Sequence, residues 1–416
     1  MVRRHPDLSA CLALTGLCAL TLGGYLVASM NLYRIGFPLD DAWIHQTYAR
    51  NLAWRQEWAF LPGQPSAGST SPLWTILLAV GYLLHFEPRT YAYLLGWLCL
   101  STLSLAAYLC MRRSFPTSSA WAFGAGAFMA FEWHLVWAAG SGMETLLFGL
   151  LAFVLALWSG KDRINPLWIG LIAGATIWLR PDGLTLVGPA MWAIAFGQVR
   201  QSSQANQFLK LLLGFVCGFA PYLAFNVFVG GSVWPNTFYA KQAEYEILRL
   251  TPLWLRLARE ASLPLIGAGV VLMPGFFFYV YCAIRKHEWE RLGSVIWILG
   301  MISLYAWRLP VVYQHGRYIL PVMPVYFFLG ILGAVGWVNT APASLAGRVL
   351  RRAWVLSCLA LLVVFYLLGS QAYAKDTAII ESEMVDIAKW VAQNTEQNAM
   401  VAAHDIGALG YFGGRS

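Results

Sequence analysis

Long blocks of apolar residues, broken by short polar segments, dominate the pattern of this chain. Residues 9–31 form the first, about 23 nearly uninterrupted apolar positions behind Arg3 and Arg4, well beyond the roughly 7 to 15 of a signal-peptide core. We read it as a retained signal anchor. Further runs of spanning length lie at 90–111, 119–139, 144–159, 164–179, 183–197, 208–229, 261–284, 292–309, 318–338 and 353–370, for eleven predicted membrane helices. The runs at 144–159 and 164–179 are short against the roughly 20 residues of a straight span, so they need polar neighbours or a thinned bilayer. A run at 72–86, bounded by Ser71-Pro72 and Glu87-Pro88, is predicted instead as a partly immersed helix of a large first outer loop (about 32–89). Ser71 at the N-cap and Pro72 at the first helical position form a helix-start signal.

Beyond residue 370 the pattern changes. Met384, Ile387, Ala388 and Val391 recur at helical spacing, 400–403 reads as a strand, and Asp405-Ile406-Gly407 and Gly413-Gly414 read as turns. One helix and one strand cannot bury a core. This piece either packs on the outer loops or belongs to a longer protein. The predicted fold class is an all-α polytopic membrane protein, with a transmembrane domain over 1–370 and a small α/β outer segment over 371–416.

Composition excludes a soluble surface, since 59% of the 416 residues are hydrophobic, 12% are charged and 20 are Trp. All seven cysteines fall inside apolar runs, so none is placed for a disulfide in an exposed loop. Charge sets the orientation. With the N-terminus inside and 72–86 not crossing, the inner side holds 14 basic residues: Arg3, Arg4, Arg112, Arg113, Lys161, Arg163, Arg200, Lys210, Arg285, Lys286, Arg291, Arg348, Arg351 and Arg352. Against four acids (Asp7, Asp162, Glu288, Glu290) the inner side is +10 and the outer side −2, which recovers the formal +8. A crossing at 72–86 would invert every later loop against the positive-inside rule. The net charge is therefore an orientation signal, with no nucleic-acid partner implied.

On this topology the unusual polar residues gather outside: Asp40-Asp41, Ser66 to Pro72, Ser141-Gly142-Met143-Glu144, Arg180-Pro181-Asp182-Gly183, Pro235 to Lys241, and His315-Gly316-Arg317-Tyr318. Convergence of six segments is what a binding site would produce. Asp40 or Asp41 suits a general base that takes a proton from an attacking hydroxyl; the bland alternative is a cap on the amphipathic helix carrying Ile44, Tyr48 and Leu52. Arg180 and Arg317 are cations at headgroup depth, where they could hold an anion, and Lys241 is a third candidate. Snorkelling explains any single Arg equally well, and Asp182 could make Arg180 part of a structural turn. Glu144 opens a span, where a helix start alone accounts for an acid. Glu144, Asp182, Tyr239, His315, Ser69 and Thr70 are candidates for acceptor or substrate binding. Mg²⁺ or Mn²⁺ at Asp40, Asp41 and Glu144 is a weak fit, and no His/Cys spacing supports zinc. Glu132 and His134, inside the third predicted span, are expected to face a cavity rather than lipid.

The order of these motifs is itself informative. Asp40-Asp41-Ala42-Trp43-Ile44, Tyr48-Ala49-Arg50-Asn51-Leu52, Phe60-Leu61-Pro62-Gly63 and Ser69-Thr70-Ser71-Pro72-Leu73-Trp74 resemble the start of bacterial GT-C glycosyltransferases, in the arabinofuranosyl- and mannosyltransferase-like subgroup. Gly142-Met143-Glu144-Thr145, Arg180-Pro181-Asp182-Gly183, Asn236 to Lys241, Gly316-Arg317-Tyr318 and Asp405-Ile406-Gly407-Ala408-Leu409-Gly410-Tyr411 extend the likeness to about residue 413. The family usually continues well past that last stretch, whereas this sequence stops at Ser416. The resemblance implies an inverting transferase in the bacterial inner membrane. Its donor would be a polyprenyl-phosphate sugar whose leaving phosphate Arg180, Lys241 and Arg317 would hold, its acceptor a cell-envelope glycan, lipid or protein, its site extracytoplasmic, and one aspartate of the pair the base for attack at the anomeric carbon. A transporter or lipid-linked-sugar flippase is the alternative, for which an internal repeat would be expected; a non-enzymatic envelope scaffold is a third.

Overall fold

The computed structural model describes residues 7–158, 164–197, 203–340 and 345–415. Arg3, Arg4, Lys161, Asp162, Arg163 and Arg200, which enter the charge argument, lie outside the described residues. Among the described residues, five helical stretches are long and apolar enough to cross a membrane: Leu8–Leu32, Pro88–Ser114, Gln204–Gly230, Tyr313–Thr340 and Leu345–Asn394. A sixth is a pair, Leu253–Leu265 and Gly269–Arg285, bent by 103°. The other predicted runs hold shorter apolar helices, among them Thr145–Ala156, Pro166–Trp178 and Ser119–Phe131, which cannot each be counted as a full span on length.

The run at 119–139 is not one helix. It breaks at Glu132, whose extended backbone (ψ 121°) ends Ser119–Phe131 and starts Trp133–Gly140. The Glu132 carboxylate then accepts from the His134 and Leu135 amides at 3.0 and 3.1 Å and meets His134 Nδ1 at 2.8 Å. A polar pair that would be costly in lipid is thus buried as a cap between helices, and neither residue lines the main cavity.

Helices pack closely where small residues repeat. Gly170 and Gly174 of Pro166–Ala175 face Gly214 and Gly218 of Gln204–Gly230; a Cβ at Gly170 or Gly214 would lie 2.0 Å from a backbone oxygen of the opposite helix. This four-residue spacing of glycines lets two backbones touch.

Between the first two long helices, the connecting segment folds into helix Asp41–Arg55, an antiparallel pair of short strands (Ala59–Leu61 and Gln64–Pro65) and helix Pro72–Leu83. Tyr82 Oη donates to Gln46 Oε1 at 2.8 Å and fastens the two helices together. Helix Leu345–Ile379 runs on past residue 371 and continues through a π-helical turn into Asp386–Asn394. Glu381 and Asp386 there bind Arg34 at 2.7 and 2.6 Å. The strand expected over 400–403 is not formed, because the segment finds no strand to pair with; it is an irregular link to a last turn, Leu409–Gly413. That turn packs on helix Asp41–Arg55.

Candidate active site

Helix Asp41–Arg55 starts with Asp40 at the N-cap position, yet the Asp40 side chain makes no capping bond. Its two oxygens instead accept the Gly407 and Ala408 amides at 2.6 and 2.7 Å. Tyr411 and Phe412 follow and stack on Trp43 with ring centroids 4.8 and 4.6 Å apart, and Arg50 donates to the Tyr411 carbonyl at 2.9 Å. Burial pushes the Asp40 carboxyl up to about 6, against the Ala408 and Gly407 amides, which favour its charged form.

Asp41 turns the other way. Its Oδ2 meets Arg317 Nη2 at 2.5 Å and Lys241 Nζ at 3.5 Å. Burial alone would raise this carboxyl, but Lys241 and Arg317 outweigh it and hold Asp41 well below the usual carboxylate range. Both cations line a cavity of about 270 Å³ whose walls also include Thr70, Glu144, Arg180, Asp182, Arg308, Tyr305 and Tyr318. Trp234 and Phe238 add an aromatic side.

The cations differ in how far they are committed. Arg180 is held by Asp182 at 3.1 Å, Tyr305 at 2.8 Å and Glu144 at 3.7 Å. Arg317, only 4% exposed, keeps Nη1 without a hydrogen-bond partner. Arg308 stacks on Trp307 at 5.2 Å and has no carboxylate partner among the described residues. Arg317, Lys241 and Arg308 are therefore the lining cations able to take an anion, whereas Arg180 is already balanced.

Of the residues singled out from sequence, Thr70, Glu144, Arg180, Asp182, Lys241 and Arg317 meet at the cavity, with Asp41 bonded to two of them. Ser69 lies just behind it, within 3.2 Å of His45 Nδ1 and 2.9 Å of Thr75 Oγ1. Tyr239 is exposed and outside the lining. His315 points elsewhere: Nε2 meets Asp376 at 2.7 Å, beside Trp137 Nε1, which donates to the same oxygen at 3.1 Å. Gln314, His315 and Gly316 all have left-handed backbones (φ 54°, 55° and 66°), a strained turn that the Asp376 contact helps to hold and that delivers Arg317 to the cavity.

Four contributors escaped the sequence reading. His45 stands one helical turn after Asp41, a spacing that could have revealed it. Tyr305 and Arg308 sit at the end of an apolar run and carried no signal, and Asp376 lies in a helix of the tail.

A divalent ion does not fit this donor set. Asp40 is turned to the tail and Asp41 is occupied by two cations, so the three proposed ligands do not converge. Among the described residues, no three His, Cys, Asp or Glu side chains form a metal-binding group.

The arrangement of helices has counterparts among solved structures. ArnT from Cupriavidus metallidurans in the apo state has a TM-score of 0.61 at 17% identity, covering 96% of this chain and 85% of ArnT. The same protein bound to undecaprenyl phosphate gives 0.60 at 16% identity, covering 94% and 84%. The Archaeoglobus fulgidus oligosaccharyltransferase, in complex with zinc and sulfate, gives 0.51 at 15% identity over 90% of this chain and 55% of its own. This chain shares its fold with these proteins. It is an integral membrane protein of that architecture. Residues 373–416 match a family model described as "Domain of unknown function (DUF8728)". No curated protein matches the chain.

Proposed function

We propose that this protein is a glycosyltransferase that takes its sugar from a polyprenyl-phosphate donor and transfers it, with inversion, to a cell-envelope acceptor on the extracytoplasmic face of a bacterial inner membrane. The GT-C fold and the undecaprenyl phosphate bound by ArnT support the donor class. The orientation rests on the excess of basic residues in the inner loops.

The observation that carries the reading is the bridge from Asp41 to Arg317 and Lys241 at the cavity. The donor phosphate binds against Arg317, Lys241 and Arg308. As the acceptor oxygen bonds to the anomeric carbon, its proton passes to Asp41, and the bond from that carbon to the phosphate oxygen breaks. Asp41 loses its negative charge as the leaving phosphate gains one. The two cations can then exchange one partner for the other without an unpaired charge at any stage. A base bonded to two cations is weak, and binding of the phosphate to those cations is what would free it. Asp40 serves as the support that fixes the start of the helix.

Purified protein incubated with radiolabelled polyprenyl-phosphate sugars and membrane acceptors is expected to transfer label from one donor. Failure with donors of every common pentose and hexose, alongside no binding of bare polyprenyl phosphate, would overturn the reading.

A further inference from the structure

The proposed reaction leaves Glu144 unused. This residue occupies the N-cap position of Thr145–Ala156 but makes no capping bond, and its side chain, 4% exposed, lines the cavity. Oε1 stands 3.7 Å from Arg180 Nη1 and Oε2 stands 3.6 Å from His45 Nε2. Neither contact is a hydrogen bond by distance, and Oε2 has no hydrogen-bond partner. A carboxylate oxygen stripped of water and left unbonded is unfavourable. By contrast, Asp182 is fully engaged by Arg180 and Tyr305.

His45 is fixed from behind. Its Nδ1 lies 3.2 Å from Ser69 Oγ and 3.4 Å from Thr75 Oγ1, and the residue is 2% exposed. Ser69 and Thr75 thereby set the plane of the ring, which leaves Nε2 facing Oε2 at 3.6 Å.

We propose that Glu144 and His45 form a hydroxyl-binding subsite, in which Glu144 Oε2 accepts a hydrogen bond from a sugar hydroxyl and His45 is the positioning residue that aims it. An O–H donor fits better than a cation, since Arg180 already faces the same carboxylate. This rests on the reading of the cavity as the sugar-transfer site. The hydroxyl belongs to the donor sugar or to the acceptor, and both present the same group.

The test uses the full-length protein in nanodiscs. Affinity is measured for undecaprenyl phosphate alone and for its arabinofuranosyl, mannosyl, galactosyl and glucosyl derivatives, together with the acceptor KM in transfer from whichever derivative is used. Wild type binds the bare lipid phosphate and gains affinity from one sugar. Glu144→Ala and the isosteric Glu144→Gln keep the bare-lipid affinity, which shows that they are folded. Glu144→Ala loses roughly 10- to 100-fold of the sugar-dependent gain, as for a hydrogen bond to a charged group. If the same loss falls on the acceptor KM instead, the subsite holds and the hydroxyl is the acceptor's. His45→Gln, which places a polar amide beside Glu144, retains part of the gain, and His45→Leu does not. A sugar gain and acceptor KM both untouched in Glu144→Ala would overturn the subsite while leaving the transferase reading standing. Absence of bare-lipid binding in wild type would overturn that parent reading, and the subsite with it.

Discussion

At the scale of the residue, two adjacent aspartates have separate duties because neighbouring positions on a helix point about 100° apart. Asp41 faces the cations of the cavity, and Asp40 faces the amides of Gly407 and Ala408. The pair was legible in the sequence as unusual, but its division was not: the partners of Asp40 lie 367 and 368 positions away. The sign of one consequence can be worked out. Asp40 has an ordinary value of 3.8 and a folded value of about 6. The folded protein therefore holds the extra proton between those values, so stability from this group is full below about pH 4 and is lost as pH rises through 6. Thermal unfolding in detergent should show wild type gaining on Asp40→Asn as pH falls from 7 to 4, by at most about 3 kcal/mol. An unchanged gap would place the Asp40 carboxyl in water.

At the scale of the element, the tail is part of the site's scaffold. Its last turn stacks on Trp43 and binds Asp40, so residues within the stretch matched by the domain of unknown function help to fix the helix that carries Asp41. Gly407 makes that approach feasible: a Cβ there would lie 2.1 Å from the Asp40 carbonyl oxygen. Gly407→Ala should destabilise the docked tail by about 1–3 kcal/mol, open 395–404 to proteolysis and lower turnover. Protease resistance equal to wild type would detach the tail from this role. The helical half of the tail was legible from Met384, Ile387, Ala388 and Val391. The strand over 400–403 was misread because apolar residues in a short linker carry no signal that a partner strand is missing. Glu132 was rightly seen as unable to face lipid, yet periodicity could not tell a cavity-facing acid from one that breaks and caps a helix.

At the scale of the whole molecule, block hydrophobicity was enough to give the membrane class and the helix after Pro72 that is too short for a full span. Span count was less legible, since several apolar runs form helices too short to be counted by length. The side on which the cavity opens can be tested directly. Cysteines at Gln64 and Ala240, both exposed, should react with an impermeant maleimide in intact spheroplasts, and one at Thr117 should not; labelling of Thr117→Cys alone would invert the topology. The central claim, that the cavity transfers sugar with Asp41 as base, is tested most directly by single-turnover transfer from one radiolabelled polyprenyl-phosphate sugar by wild type and Asp41→Asn, with donor binding measured alongside. Loss of a general base predicts a rate lower by about 10²- to 10⁴-fold, with donor bound at least as tightly because Arg317 and Lys241 are released to the phosphate. A rate within a few-fold of wild type, at equal donor occupancy, would contradict it.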